Sequence, residues 1–92
     1  MRFTLRWPDG EQMHCYSPSL VIEEYLCPGI PYPLDDFLQR SRKALLTASE
    51  RVQAKYGFPC SRALGQLEAI ERRAASFAER PGARVEVIGF QR

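Results

Sequence analysis

Apolar and polar residues alternate at both ends of the segment from Arg2 to Tyr16. Phe3, Leu5, Trp7, Met13 and Cys15 form one set, and Arg2, Thr4, Arg6, Gln12, His14 and Tyr16 form the other. A period of two marks strands with one face on a core. Between the two runs, Trp7-Pro8-Asp9-Gly10 reads as a turn. Pro8 presets φ for the first central position of a type I turn, and Gly10 can take the left-handed conformation that closes a G1 bulge. This three-residue loop sets Trp7 opposite Glu11, Leu5 opposite Met13 and Phe3 opposite Cys15. That register gathers the apolar set on one face.

Further along, the period lengthens. Leu34, Phe37, Leu38, Leu45, Ala48, Val52 and Tyr56 fall on one stripe at helical spacing, predicting a helix over 34–56. Asp35 and Asp36 suit its positive N-terminal end, Asp36 and Arg40 are an i,i+4 pair, and Gly57 is placed to end it. Ala63, Leu64, Leu67, Ile70, Ala74, Phe77 and Ala78 predict a second helix over 60–80, stopped by Pro81-Gly82. The short connection makes the two an antiparallel hairpin. Residues 84–90 alternate again as a last strand, with Gly89 at a bulge position. Without a bulge, Ile88 and Phe90 would face away from Val85 and Val87.

Residues 17–33 hold four of the seven prolines and two readings. Ser17-Pro18 fits the cap and first residue of a short helix with Leu20, Val21, Tyr25 and Leu26 inward. The β-branched pair Val21-Ile22 suits a strand nearly as well. Cys27-Pro28-Gly29 ends this segment, and Pro31-Tyr32-Pro33 leads extended into the first long helix. The expected fold is α+β: a three-stranded sheet, N-terminal hairpin plus C-terminal strand, covered on one face by two long helices. At 92 residues it is a single domain, below the usual roughly 100–150.

Composition narrows the function classes. The chain is 45% hydrophobic and 26% charged, which argues against wholesale disorder. No apolar run is long enough for a membrane span or a signal peptide, so a cytoplasmic protein is expected. Three cysteines at spacings of 12 and 33 fit a reducing compartment better than a disulfide framework. Charge is lopsided: residues 1–39 hold two bases against six acids, and residues 40–92 hold eleven bases against five. The halves should attract each other or a partner, while a net charge of +2 makes a nucleic-acid regulator the least favoured reading.

Candidate chemistry centres on Cys60, at the expected start of the second long helix, where unpaired N–H groups stabilise a thiolate. Arg62 is two residues on. The competing reading is a small buried hydrophobe. Cys15 belongs to the core face, His14 to the opposite face of the same strand, and Tyr16 joins them only as a weak companion. Three cysteines and one histidine lack the short spacing of a zinc site, so no metal is expected. No phosphate loop, nucleophile elbow or metalloprotease motif occurs, and no cofactor is implied. The adjacent pairs Glu23-Glu24 and Asp35-Asp36 point about 100° apart on a helix, too divergent for an acid–base dyad.

Two surfaces suggest contacts instead. Arg40, Lys43, Arg51 and Lys55 lie along one flank of the first long helix, and Arg62, Arg73 and Arg80 mark the second. A surface built from both could meet RNA or an acidic protein, but a solvated face is the favoured reading, because aromatics are not interleaved with these bases. Gly65, Ala69 and Ser76 fall opposite the apolar stripe of the second helix. Small outward residues there would permit close approach by another backbone. With Ile88 and Phe90 outward, an uncovered sheet edge and this small-residue face, a homodimer is expected, built on the outer sheet face or the second helix.

Several blocks in order along the chain resemble the small bacterial nitrogen starvation response protein family. They are Arg6-Trp7-Pro8-Asp9-Gly10, Cys15-Tyr16-Ser17-Pro18-Ser19, Tyr32-Pro33 with Asp36-Phe37, Ser41-Arg42 with Ala44-Leu45, and Arg51-Val52 through Tyr56-Gly57 with Cys60, Leu67 and Ile70-Glu71. The resemblance spans essentially the whole chain. Cys27 and Gly65 stand outside it. It implies expression under nitrogen limitation beside genes for a nitrilase, a radical-SAM protein, an acetyltransferase-like protein and a flavoprotein, and it carries no activity. The expected function is therefore a non-enzymatic accessory protein that contacts another protein of that pathway. The alternative is a small enzyme or carrier using Cys60.

Overall fold

A computed structural model describes residues 1–91. The elements run β1 (Arg2–Arg6), β2 (Gln12–Tyr16), α1 (Ile22–Tyr25), β3 (Pro31–Pro33), α2 (Leu34–Tyr56), α3 (Ser61–Ala75) and β4 (Arg84–Gln91). The sheet order is β2-β1-β4-β3, with every neighbouring pair antiparallel. The hairpin register follows the alternation: Phe3 faces Cys15 and Leu5 faces Met13. The turn closes with Gly10 N–H on the Trp7 carbonyl at 2.8 Å and Gly10 at φ +88°.

Both long helices lie on the face carrying Phe3, Leu5, Trp7, Cys15, Tyr32, Val85 and Val87, all buried with Phe37, Leu45, Leu67 and Ile70. Their antiparallel course shows in two cross-links. Near the connection, Cys60 N–H donates to Ser49 Oγ at 3.1 Å, and farther away Arg42 meets Glu71 at 3.0 Å. α2 ends where expected, with Gly57 at φ +85° donating its N–H to the Gln53 carbonyl.

Several expectations need correction. The sheet has four strands, because Pro31–Pro33 pairs with β4 instead of serving only as a lead-in. The short helix is a single turn without Ser17 as its cap. Ser17 is buried and closes a local turn, its Oγ donating to the Ser19 carbonyl at 2.7 Å. Leu20, expected inward, is 47% exposed, and Ile22 takes the core position.

The second long helix stops at Ala75, not 80. The N–H groups of Ser76, Phe77, Ala78 and Arg80 bond three residues back instead of four, a tighter winding. That path brings the Phe77 ring parallel to Trp7 at 5.9 Å, and Ala78 turns outward. Tyr56 and Leu64 also lie outside the core.

The final correction concerns Phe90. The β1–β4 register shifts between Thr4 and Leu5, pairing Thr4 with Gly89 and Leu5 with Val87. Ile88 is the extra residue of a bulge and stays outward. Phe90 is returned to the inner side, opposite Phe3, with ring centroids 6.4 Å apart. Half-buried, it packs against the core from the inner side, so it cannot anchor a dimer on the outer sheet face.

The opposed charges of the two halves meet across the fold. Arg73 of α3 reaches Asp9 at 2.6 Å and Glu11 at 2.8 Å beside the hairpin turn, and Arg51 reaches Glu24 at 3.8 Å. The Glu11 backbone N–H donates to the Asp9 carboxylate and holds it below its ordinary range, with Arg73 adding a hydrogen bond and its charge.

Candidate functional site

Sheet edges carry unpaired backbone groups, and the two edges here differ in a way the sequence encodes. On β2, Ser17 exchanges both backbone hydrogen bonds with Met1, and Trp7 N–H donates to the Glu11 carbonyl. Odd-numbered positions of β2 therefore bond to β1, and Gln12, His14 and Tyr16 direct N–H and C=O away from the sheet. The Tyr16 N–H is taken by Gln66 Oε1 of α3 at 3.0 Å. That leaves Gln12 and His14 as the open stretch, and both are exposed.

On β3 the same alternation starts from Leu34 N–H, which donates to the Ala83 carbonyl. It turns Tyr32 toward β4 and Pro31 and Pro33 outward. Proline has no N–H, so this edge presents no donor to an incoming strand. Proline blocks the β3 edge, and the β2 edge is open.

α3 flanks the open edge. Met13, Ala69, Arg72, Arg73 and Ser76 line a hollow of about 300 Å³ there. Two of the three small residues expected on an outward helix face, Ala69 and Ser76, thus sit beside β2. Gly65 is exposed, and a Cβ added to it would meet nothing within 4 Å. No backbone of this chain approaches it. Gly65→Ala is therefore expected to raise stability by up to about 1 kcal/mol through helix propensity alone, read from urea unfolding midpoints.

At the far end of β2 are two adjoining hollows, of about 330 and 200 Å³, that share Arg2, Tyr16 and Arg62. His14, Cys15 and Gln66 complete the smaller one. Three of the four residues considered for chemistry, His14, Cys15 and Tyr16, thus come together, and Cys60 does not join them. Arg62 reaches around the sheet edge and stacks on the Tyr16 ring, 4.0 Å from its centroid. His14 Nδ1 lies 3.1 Å from Thr4 Oγ1 on the outer face. Arg2 and Gln66 were not singled out beforehand. The available signal for Gln66 was its position four residues after Arg62, on the same helix face.

The thiols differ. Burial pushes Cys15 up to about 12, leaving it a protonated core side chain. Cys60 is half-buried at the start of α3, and Cys27 is exposed. Among the described residues, no group of three or more His, Cys, Asp or Glu side chains is placed to hold a metal ion, and no helix is long and apolar enough to cross a membrane.

The proposed basic flank breaks up. Arg40 pairs with Asp36, donates to the Tyr25 carbonyl and lies over Tyr32. Arg51 meets Glu24, and Lys55 lies over the exposed Tyr56 ring, leaving Lys43 on the solvent side.

A sequence model of the family described as nitrogen starvation-induced protein NitG matches residues 2–90. The chain belongs to that family. The match takes in all seven elements up to the last residue of β4. No curated protein and no solved structure matches the chain. The family description names a condition of induction, so the mode of action rests on the geometry above. Several residues that carry the resemblance have structural duties: Pro8, Asp9 and Gly10 build the hairpin turn, Ser17 its local turn, and Gly57 the end of α2.

Proposed function

We propose that this member of the nitrogen starvation-induced family is a cytoplasmic accessory protein. It works by contact with another protein of the same response, without catalysis, and the contact is a partner strand added to the open edge of β2. The observation that carries this reading is the difference between the two edges. Outward prolines block pairing on β3, whereas Gln12 and His14 offer both donors and acceptors. Main-chain bonds along such an edge supply affinity, and the hollow beside Met13 receives an alternate side chain of the added strand. The thiol alternative is supported only by the place of Cys60 at a helix start.

Gln12→Pro tests it. The lost N–H points away from β1, so the hairpin ladder is kept while the edge loses a donor. Full-length tagged protein recovered from nitrogen-starved cells is expected to bring down one stoichiometric companion, and the variant is expected to lose it while unfolding within a few degrees of wild type. A companion retained by the variant overturns strand addition. A second copy of the chain at the same edge is the other reading that the open strand favours. Sedimentation of the purified protein separates the two, since only self-pairing gives a dimer that Gln12→Pro converts to monomer.

A further inference from the structure

Among the described residues, those lining the double hollow at the end of β2 are positive or neutral. Arg2 and Arg62 come from opposite layers of the fold, and His14 and Gln66 stand beside them. Among the described residues no carboxylate lines either hollow, and neither arginine has an acidic partner. Elsewhere among the described residues Arg40, Arg42, Arg51, Arg72 and Arg73 each meet Asp or Glu, while Arg6, Arg80 and Arg84 do not; Arg2 and Arg62 differ from those three in sharing a hollow with each other. Two guanidinium groups left unneutralised on one concave surface repel each other, and an anion between them would relieve that repulsion.

The geometry points to a binding site for a small dianion, a phosphomonoester or a dicarboxylate, held between Arg2 and Arg62. Stacking on Tyr16 at 4.0 Å restrains the Arg62 plane, so its fork of N–H donors is presented with little further ordering. Gln66 holds the Tyr16 backbone N–H at 3.0 Å. A volume of about 330 Å³ is at the lower end of the roughly 300–1,000 Å³ of ligand sites, which suits a compact metabolite. The occupant is a discrete molecule and not the continuation of a partner strand, because Gln66 closes the strand edge at Tyr16. This site stands apart from strand addition: Gln12→Pro leaves all its residues in place, so either reading can fail alone.

The test is an NMR titration of the full chain with inorganic phosphate, at a mildly alkaline pH where it is a dianion, and separately with malonate. Sodium chloride at matched ionic strength is the control. Saturable shifts are expected at the Tyr16 and Gln66 amides and the Arg62 Nε–H. Tighter binding of phosphate would assign the site to phosphomonoesters, and tighter binding of malonate to dicarboxylates. Arg62→Gln and Arg2→Gln should each weaken binding about tenfold or more, as expected for loss of a charge-assisted contact. Arg42→Gln, which removes an exposed arginine already paired with Glu71 and remote from both sites, should leave it unchanged. Equal shifts with chloride, or undiminished binding by Arg62→Gln, would overturn the site.

Discussion

Trp7→Ala is expected to cost about 3–5 kcal/mol, a large share of the roughly 5–15 kcal/mol that holds a small domain folded. Trp7 is 2% exposed and ends β1 where the turn, both long helices and the tight winding after α3 converge. Phe37 of α2 meets it edge-on at 5.8 Å, and Phe77 stacks on it at 5.9 Å. Arg73 lies over the Phe77 ring at 4.8 Å while holding Asp9 and Glu11. Removing the indole opens a cavity that those neighbours, fixed from three sides, cannot close. Trp7→Phe separates packing from hydrogen bonding. The Trp7 Nε1–H is buried without a partner, so phenylalanine removes an unpaired donor along with some volume and should cost less than alanine. Urea unfolding of the three proteins checks the order, and a loss below about 1 kcal/mol for Trp7→Ala would contradict its place in the core.

The second large effect is on thiol chemistry. Burial raises Cys15 from 9.0 to about 12, which lowers its thiolate fraction at neutral pH about a thousandfold. Iodoacetamide is expected to label exposed Cys27 in the native protein and to reach Cys15 only after unfolding. Cys60 modified faster than Cys27 would revive the thiol reading; Cys60 silent until denaturation would remove it.

The same burial couples stability to pH. The native state keeps the Cys15 proton where the unfolded chain gives it up, so the stabilisation is intact below about pH 9. It is lost as pH rises from there toward about 12. The slope is about 1.4 kcal/mol per pH unit within that window. Tyrosines and lysines titrate nearby in pH, so the difference between wild type and Cys15→Ala is the quantity to measure. The two proteins should converge as pH rises above about 9.

The open edge and the anion site were legible to different degrees. Alternation along 2–16 was enough to pair Phe3 with Cys15 and to send His14 outward. What the pairing does to the backbone is a further step: once Ser17 bonds to Met1, positions 12, 14 and 16 must point away from β1. Pro31 and Pro33 read locally as punctuation, and their role as a seal exists only because β4 returns between β1 and β3. Gly89 was readable as a bulge position, but which way the bulge turned Phe90 depended on its register with β1. Arg2 and Arg62 are sixty residues apart in the chain, and no local pattern joins them.

By itself the sequence determined the elements whose causes are local. The Pro8-Asp9-Gly10 turn, the span of α2 with its glycine stop, the inward set Phe3, Leu5 and Trp7, and the family all follow from residues close together or in a fixed order. Tertiary structure alone decided the fourth strand, the early end of α3 at Ala75, the inward turn of Phe90, the inequality of the two sheet edges and the meeting of Arg2 with Arg62. Each of these depends on which strand lies beside which and on how aromatic rings fill a shared core. Those are long-range choices, made by the free energy of burying the whole apolar set at once and not by the preferences of any single segment.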